Sequence, residues 1–253
     1  MLSTDMPQPI LALDKVSKSF GGVVANREVS LEVARGSITG LIGPNGSGKT
    51  TLFNSIVGFH PIDSGSIRLD GREISHLPVQ AIARRGLIRN FQQTRVFRGM
   101  NCVDNMRVAA SPRSGGWREM FRPSPKQIDE RGERLLEFVG LYAKRRLPAG
   151  SLSFGQQRLL ELAMGLMNAP RVLLLDEPTA GINPTLINGL VDRLIAANRE
   201  FGITLFVIEH NMRVVMGLAH QVYCMSRGEV LAAGPPERIQ RDPRVIDAYL
   251  GAQ

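Results

Sequence analysis

Disulfide chemistry is nearly absent from this chain, whose 253 residues include two cysteines, Cys102 and Cys224. They stand far apart and form no C-x-x-C pair. A disulfide framework and a cysteine zinc site are therefore excluded, and a cytoplasmic chain is the expectation. Long apolar runs are missing too. The longest, residues 203–208 and 172–175, are strand-length, well short of the roughly 18–20 residues that span a bilayer. Residues 1–10 lack a basic start followed by an apolar stretch, so no secretory signal is expected. Aromatics are scarce at 6%, with a single Trp. No heptad array, internal repeat or low-complexity tract is evident. The remaining composition, 43% hydrophobic and 21% charged, is that of a globular protein. The length suits one large domain, or one domain with an inserted lobe.

The formal charge of +8 is unevenly spread. Residues 84–146 hold 15 Lys+Arg against 6 Asp+Glu, which accounts for the whole excess. Such a stretch reads either as a solvated helical face or as a surface near anionic lipid or an acidic partner. Nucleic acid fits less well. The aromatics there (Phe91, Phe97, Trp117, Phe121, Phe138 and Tyr142) do not interleave as a stacking platform.

Patterning organises the chain. Residues 11–16 and 29–33 alternate like half-exposed strands of an antiparallel edge sheet. Residues 37–42 form a small apolar strand running into glycines. Residues 49–57 read as a helix that Gly58 can cap. Residues 66–69, followed by Asp70-Gly71, read as a strand and tight turn. From about residue 96 to 150 the pattern turns helical and Arg-rich, as an inserted lobe would. Residues 171–175 and 203–208 are apolar enough for strands buried on both faces. The helix between them can be capped by Asn183, start at Pro184 and end at Gly202. Strand, helix, strand at this spacing implies a right-handed crossover in a parallel sheet.

The segment Gly43-Pro44-Asn45-Gly46-Ser47-Gly48-Lys49-Thr50 matches the phosphate-binding pattern G-x-x-x-x-G-K-S/T. Glycines let the backbone wrap closely and turn its N–H groups toward phosphate oxygens. The following helix adds its positive dipole end. Lys49 is expected as a mobile point charge for the β- and γ-phosphates, and Thr50 as a hydroxyl for Mg²⁺. A chance match in a chain this long is on the order of 1 in 100.

Further along, Asp176 and Glu177 end a buried strand, which is costly unless they meet a cation or serve a role. In a nucleotide site Asp176 would hold Mg²⁺ through its water shell, and Glu177 would act as general base on the attacking water. His210 follows the next parallel strand and should emerge beside them, able to hold the water and Glu177 in line. A structural histidine is the competing reading. Gln92 and Gln93 follow Arg89-Asn90-Phe91. An amide there can reach Mg²⁺ or the attacking water, though a plain surface amide fits as well.

Between these motifs lies Leu152-Ser153-Phe154-Gly155-Gln156-Gln157-Arg158. Ser153 and Gln156 form a capping box for a helix over residues 156–167. Leu159, Leu162, Leu166 and Met167 are expected on its buried face, with Arg158 and Glu161 exposed. Gly155 leaves the helix start bare, so a phosphate could dock there. A second anion site of this kind makes most sense facing the ATP of another subunit.

Together these residues resemble the ATP-binding subunits of ABC transporters, from Phe20 to about residue 208. The resemblance implies an α/β fold: a P-loop NTPase with a parallel core sheet, an antiparallel β edge and an inserted helical subdomain at about 96–150. It implies one ATP-binding domain over the whole chain and a C-terminal tail at about 228–253. Phe20 looks like the adenine-stacking aromatic. Gly43 to Thr51 looks like the Walker A loop, including Thr51, and Gln92 like the Q-loop glutamine, with a part at the metal. Ser153 to Gln156 is similar to the family signature, Asp176 and Glu177 to Walker B and the catalytic glutamate. Ala180-Gly181-Ile182-Asn183 is similar to the D-loop and His210 to the H-loop switch.

The chain departs from the family pattern in three places. Phe20 replaces the commoner Tyr, Phe154 the usual glycine, and Asn183, which cannot carry charge, the usual aspartate. The implied cofactors are ATP and Mg²⁺. The implied partners are a second ATPase subunit (a related chain or a copy of this one), membrane permease subunits and, through the complex, an external solute-binding protein. No nucleic acid is expected. The implied place is peripheral, on the cytoplasmic face of the inner membrane.

Within the family, the nearest resemblance is to the LivG-type subunit of branched-chain amino acid importers. It rests on residues 82–86 with 89–92, on residues 152–158, on Ile208 to Met212, and on the tail Gly228 to Gly234 and Val245 to Gly251. Importers of urea or other amides and the lipopolysaccharide-export ATPase share much of that pattern. A soluble ABC ATPase acting on nucleic acid or ribosomes fits less well, because the chain has one site set and no long coiled coil. A non-hydrolysing regulatory binder also fits less well, because every catalytic position is filled.

Overall fold

The structure is a computed structural model and describes residues 9–90, 96–110 and 124–250. Among them the strands make two sheets. The first holds β1 (Pro9–Phe20), β2 (Val23–Ala34), β4 (Ser64–Leu69) and β5 (Arg72–Glu73), in the order β2-β1-β4-β5. Every pairing in it is antiparallel, as the alternation of residues 11–16 and 29–33 foretold, but the strands run longer than that pattern. Asp70 and Gly71 both take positive φ and close the tight β4–β5 turn, pairing Leu69 with Arg72.

The second sheet holds β3 (Ile38–Ile42), β6 (Leu87–Asn90), β7 (Val172–Asp176), β8 (Thr204–Ile208), β9 (Gln221–Ser226) and β10 (Glu229–Gly234), in the order β10-β9-β3-β8-β7-β6. The five strands from β9 to β6 are parallel, and β10 is an antiparallel edge. Every residue of β3, β7 and β8 is buried, because both faces of this sheet are covered. Side chains alternate between the covers. Val172, Leu174, Phe206 and Ile208 share a core with the antiparallel sheet and with α1 (Lys49–Ile56). Leu173, Leu175, Leu205 and Val207 face the opposite layer. One feature of this sheet has direct consequences for the site: parallel strands deliver all their carboxyl ends to one edge.

The opposite layer contains α3 (Cys102–Ala109), α4 (Pro125–Phe138), α5 (Phe154–Leu166) and α6 (Pro184–Phe201). Leu135, Leu136, Cys102 and Met106 join the same core as Leu160, Leu194 and the sheet residues. α5 is wedged between α3 and α4 on one side and α6 and β6 on the other. That position corrects the expectation for Arg158 and Glu161. Both are buried, at 7% and 5% exposure, and pair with each other at 3.0 Å, whereas Leu159 is only half-buried. A one-sided helix pattern fails for a helix enclosed on nearly all sides. The helix also starts earlier than expected, at Phe154.

β6, α2 (Val79–Arg84), β9 and β10 carry no strong periodicity and were not anticipated as elements. After β8 come α7 (Met212–Leu218), then β9, β10, α8 (Pro236–Gln240) and α9 (Pro243–Leu250). Cys102 and Cys224 are both free and buried. Among the described residues no helix is long and apolar enough to cross a membrane.

Candidate active site

The loop between β3 and α1 is shaped by its neighbours. A Cβ on Gly43 (φ 147°) would overlap the Met225 carbonyl, and one on Gly48 (φ 97°) would overlap the Ala25 carbonyl. Only glycine fits at either point, so β9 and β2 press the loop into its course. Asn26, fully buried on β2, donates from Nδ2 to the Gly48 carbonyl at 3.1 Å. Asn45 and Gly46 remain exposed at the loop's crest, with Thr50 and the half-buried Thr51 opening α1 behind them.

Lys49 is held rather than mobile. Its Nζ donates to the Gly43 carbonyl at 2.8 Å, the Pro44 carbonyl at 2.9 Å and the Ser47 hydroxyl at 3.2 Å. Burial lowers its pKa below the usual lysine value, while the charges of Glu177, Cys224 and Asp176 pull it back up. The ammonium is thus already seated among oxygens, in a loop whose N–H groups and helix start favour an anion.

β7 and β8 bring the other groups to the same edge. The Asp176 side chain is fully buried and pairs with Arg89 of β6 at 2.5 Å, and Arg89 also contacts Asn54 of α1. Burial pushes the Asp176 carboxyl above the usual carboxylate range, and the Arg89 hydrogen bond and charge oppose that rise. Among the described residues its Oδ1 has no hydrogen-bond partner. Glu177, at φ 50°, occupies the left-handed region, which costs on the order of 1–3 kcal/mol for a non-glycine residue. Its N–H donates to the Ile208 carbonyl at 2.9 Å, and its Oε1 lies 3.3 Å from His210 Nδ1. Glu209 fixes this geometry from beneath. Buried at 1% exposure, it accepts from the Thr179 N–H at 3.0 Å, the Thr179 hydroxyl at 2.5 Å and the Asn211 N–H at 3.4 Å. It therefore ties the loop after β7 to the loop after β8.

The structure brings Gly43 to Thr51, Asp176, Glu177 and His210 together at one sheet edge, while Gln92 lies outside the described residues. Phe20 ends β1, is 43% exposed, and meets His60 edge-on at 5.1 Å, with the Lys18 ammonium 5.2 Å from its ring centre. Ser153 and Gln156 form the expected capping box on α5, with Gly155 half-buried beside them. Among the described residues no hydrogen bond joins Ser153–Gln156 to the phosphate loop, so this capped turn is a separate surface. Asn26, Arg89 and Glu209 were not foreseen. Only Glu209, between a buried strand and His210, carried a signal in the sequence.

A parallel sheet with a glycine-rich anion loop, a buried aspartate and a Glu–His pair at one edge defines a phosphate-loop nucleotide-binding cassette. The comparisons agree. The family model described as ABC transporter matches residues 26–180, and the model described as branched-chain amino acid ATP-binding cassette transporter matches residues 229–253. The chain is 40% identical to the high-affinity branched-chain amino acid transport ATP-binding protein BraF of Pseudomonas aeruginosa, covering 97% of this chain and 99% of that one. It is 38% identical to the corresponding LivG of Escherichia coli K12, with the same coverage. It is 40% identical to the lipopolysaccharide export system ATP-binding protein LptB of Acidithiobacillus ferridurans, covering 96% and 98%. The solved ADP conformation of an ATP-binding cassette of an ABC transporter superposes with a TM-score of 0.86 at 30% identity, covering 96% and 99%. The chain belongs to the ABC transporter family, as one of its nucleotide-binding ATPases.

Proposed function

We propose that this chain is the ATP-hydrolysing subunit of an importer of branched-chain amino acids. The observation that carries the catalytic reading is the Glu177–His210 contact at 3.3 Å, at the edge that also holds the Lys49 loop. The reading of the cargo rests on near full-length likeness to BraF and LivG and on the tail match at residues 229–253. The likeness to LptB favours lipopolysaccharide export as the second reading.

In this mechanism Phe20 offers its ring to adenine, and Gly43 to Thr51 hold the phosphates by backbone N–H groups and Lys49. Glu177 takes a proton from a water whose oxygen attacks the γ-phosphorus. The bond to the β-bridging oxygen breaks, and its electron pair leaves with ADP. His210 holds Glu177 in place. The donor set suits Mg²⁺, which keeps several waters and asks for few protein oxygens. Asp176 supplies a buried oxygen, Oδ1, that has no hydrogen-bond partner among the described residues, Thr50 a hydroxyl at the head of α1, and Gln92 is expected to offer an amide. Among the described residues no cluster of three or more His, Cys, Asp or Glu could replace those waters. When bound, the cation neutralises developing phosphate charge.

The capped turn Ser153 to Gln156 serves the γ-phosphate of a second ATPase subunit, a related chain or a copy, in a head-to-tail pair. The helices within residues 96–150 form the lobe that meets the permease subunits, residues 228–253 form a tail, and the assembly sits peripherally at the cytoplasmic face of the membrane. An external solute-binding protein delivers cargo to the permease. Glu177→Gln is expected to keep ATP binding, to lower steady-state turnover by about 10²–10⁴-fold, and to accumulate a dimer in ATP by size-exclusion chromatography. Ordinary turnover in that variant would remove Glu177 as the base.

A further inference from the structure

The last described helix reaches back to the first glycine of the phosphate loop. β10, α8 and α9 pack on the outer side of β9 and β3 around Ile42, Cys224, Ala232, Ile239 and Val245. At the end of α9 the phenol oxygen of the half-buried Tyr249 accepts the Gly43 N–H at 2.9 Å. The Gly43 carbonyl in turn accepts from Lys49 Nζ at 2.8 Å. One residue, with both its polar groups engaged, separates a tail side chain from the ammonium that meets phosphate.

Gly43 has little freedom to adjust otherwise. It lies just past the end of β3, and the Met225 carbonyl and Ser47 Oγ occupy the space that a Cβ would need. Without the phenol, its N–H is a donor facing a tightly packed turn, with no other acceptor among the described residues. The loop would relieve that by turning the Ile42–Gly43 peptide, and the resulting change at the φ and ψ of Gly43 would shift the next peptide, Gly43–Pro44, whose carbonyl seats Lys49. Burial pushes the phenol's pKa up to about 12, so the group stays a neutral hydroxyl across ordinary working pH.

We propose that Tyr249 is a positioning residue for nucleotide binding, and that α9 is a strap which holds the amino end of the phosphate loop in register. The tail matched by its own family model at residues 229–253 is thereby part of the ATP site's scaffold. The inference rests on reading Gly43 to Thr50 as the ATP loop, so the test includes a variant of that loop. Tyr249→Phe removes the hydroxyl and keeps the ring.

The measurement is titration of the full chain with a fluorescent ATP analogue, with steady-state kinetics and thermal melting alongside. Tyr249→Phe is expected to weaken nucleotide binding by about three- to tenfold, in line with one lost hydrogen bond that leaves a buried donor unpaired. KM should rise, kcat should stay near wild type and the melting temperature should fall by only about 2–4 °C. Leu250→Ala, on the neighbouring exposed side chain, should match wild type in all three. Wild-type affinity in Tyr249→Phe would overturn the proposal if Lys49→Ala is weakened, and the loop reading would then survive. Wild-type affinity in Lys49→Ala would overturn the loop reading itself. A fall in melting temperature with unchanged KM would also overturn the proposal, because it would make Tyr249 a packing residue only.

Discussion

Asp176 and Arg89 face each other across the β6–β7 pair, with side chains 0% and 7% exposed. A carboxylate so far from water is costly unless a cation sits beside it, and here that cation belongs to the next strand. Arg89→Ala would leave the Asp176 carboxyl without this partner. Breaking a buried pair from one side costs about 3–5 kcal/mol. The variant is therefore expected to unfold at clearly lower urea concentration, and an unchanged midpoint would show that Asp176 relies on another cation. The sequence revealed Asp176, because two acids after four apolar residues are conspicuous. It did not reveal Arg89, which stood among fifteen basic residues of one stretch. Only the pairing of Arg89 with Leu174, one strand over, assigns its role. Lys49 shows the same limit: its motif gave the residue, but not the oxygens that hold it.

The helix after the capped turn carries a longer-range version of that argument. Ser153 and Gln156 were legible because a capping box is a local pattern, and it formed as expected. Arg158 and Glu161 were misread because their burial depends on which helices enclose α5. Phe154, which replaces the family's usual glycine, also finds its explanation in a neighbour. It lies over Gly181, where a Cβ would come within 3.2 Å of the ring, and Arg158 sits 5.2 Å from its ring centre. The turn expected to face a second subunit and the D-loop-like segment thus brace each other within this chain. Gly181 has φ 74°, so Gly181→Ala adds backbone strain of about 1 kcal/mol to that contact. In a chain of this size that lowers the melting temperature by about 2–4 °C. ATP binding by the isolated chain should stay at wild-type level, since neither residue belongs to the phosphate loop. Weakened ATP binding would show that the brace reaches farther than its contacts.

At the scale of the molecule, the strong apolar strands β3, β7 and β8 were readable, whereas β6, β9 and β10 needed their neighbours to be recognised. Several residues of the basic stretch are engaged internally. Arg107 pairs with Asp104 and Asp129, Arg145 with Glu133, and Arg131 donates to the Leu166 carbonyl. A purely solvated face does not describe it. Near the segment that follows β6, by contrast, apolar side chains are exposed: Phe97 at 47%, Met100 at 41% and Leu147 at 46%. They sit on a firmly built corner. Asn101 bridges Pro148, the Ala149 N–H donates to the Met100 carbonyl at 2.8 Å, and the buried Asn105 side chain binds the Phe97, Met100 and Asn101 backbone. Exposed apolar side chains on so firmly built a corner are the kind of surface a protein partner covers, and under the proposed function that partner is the permease. Phe97→Asp combined with Met100→Ser alters only exposed side chains, so folding and ATP affinity should change little. The pair is expected to abolish co-purification with the membrane subunits and uptake of labelled leucine by vesicles that contain them. Intact assembly would place the permease contact elsewhere. Wild-type complexes that move no leucine but carry lipopolysaccharide would transfer the cargo assignment to export while leaving the ATPase site as it stands.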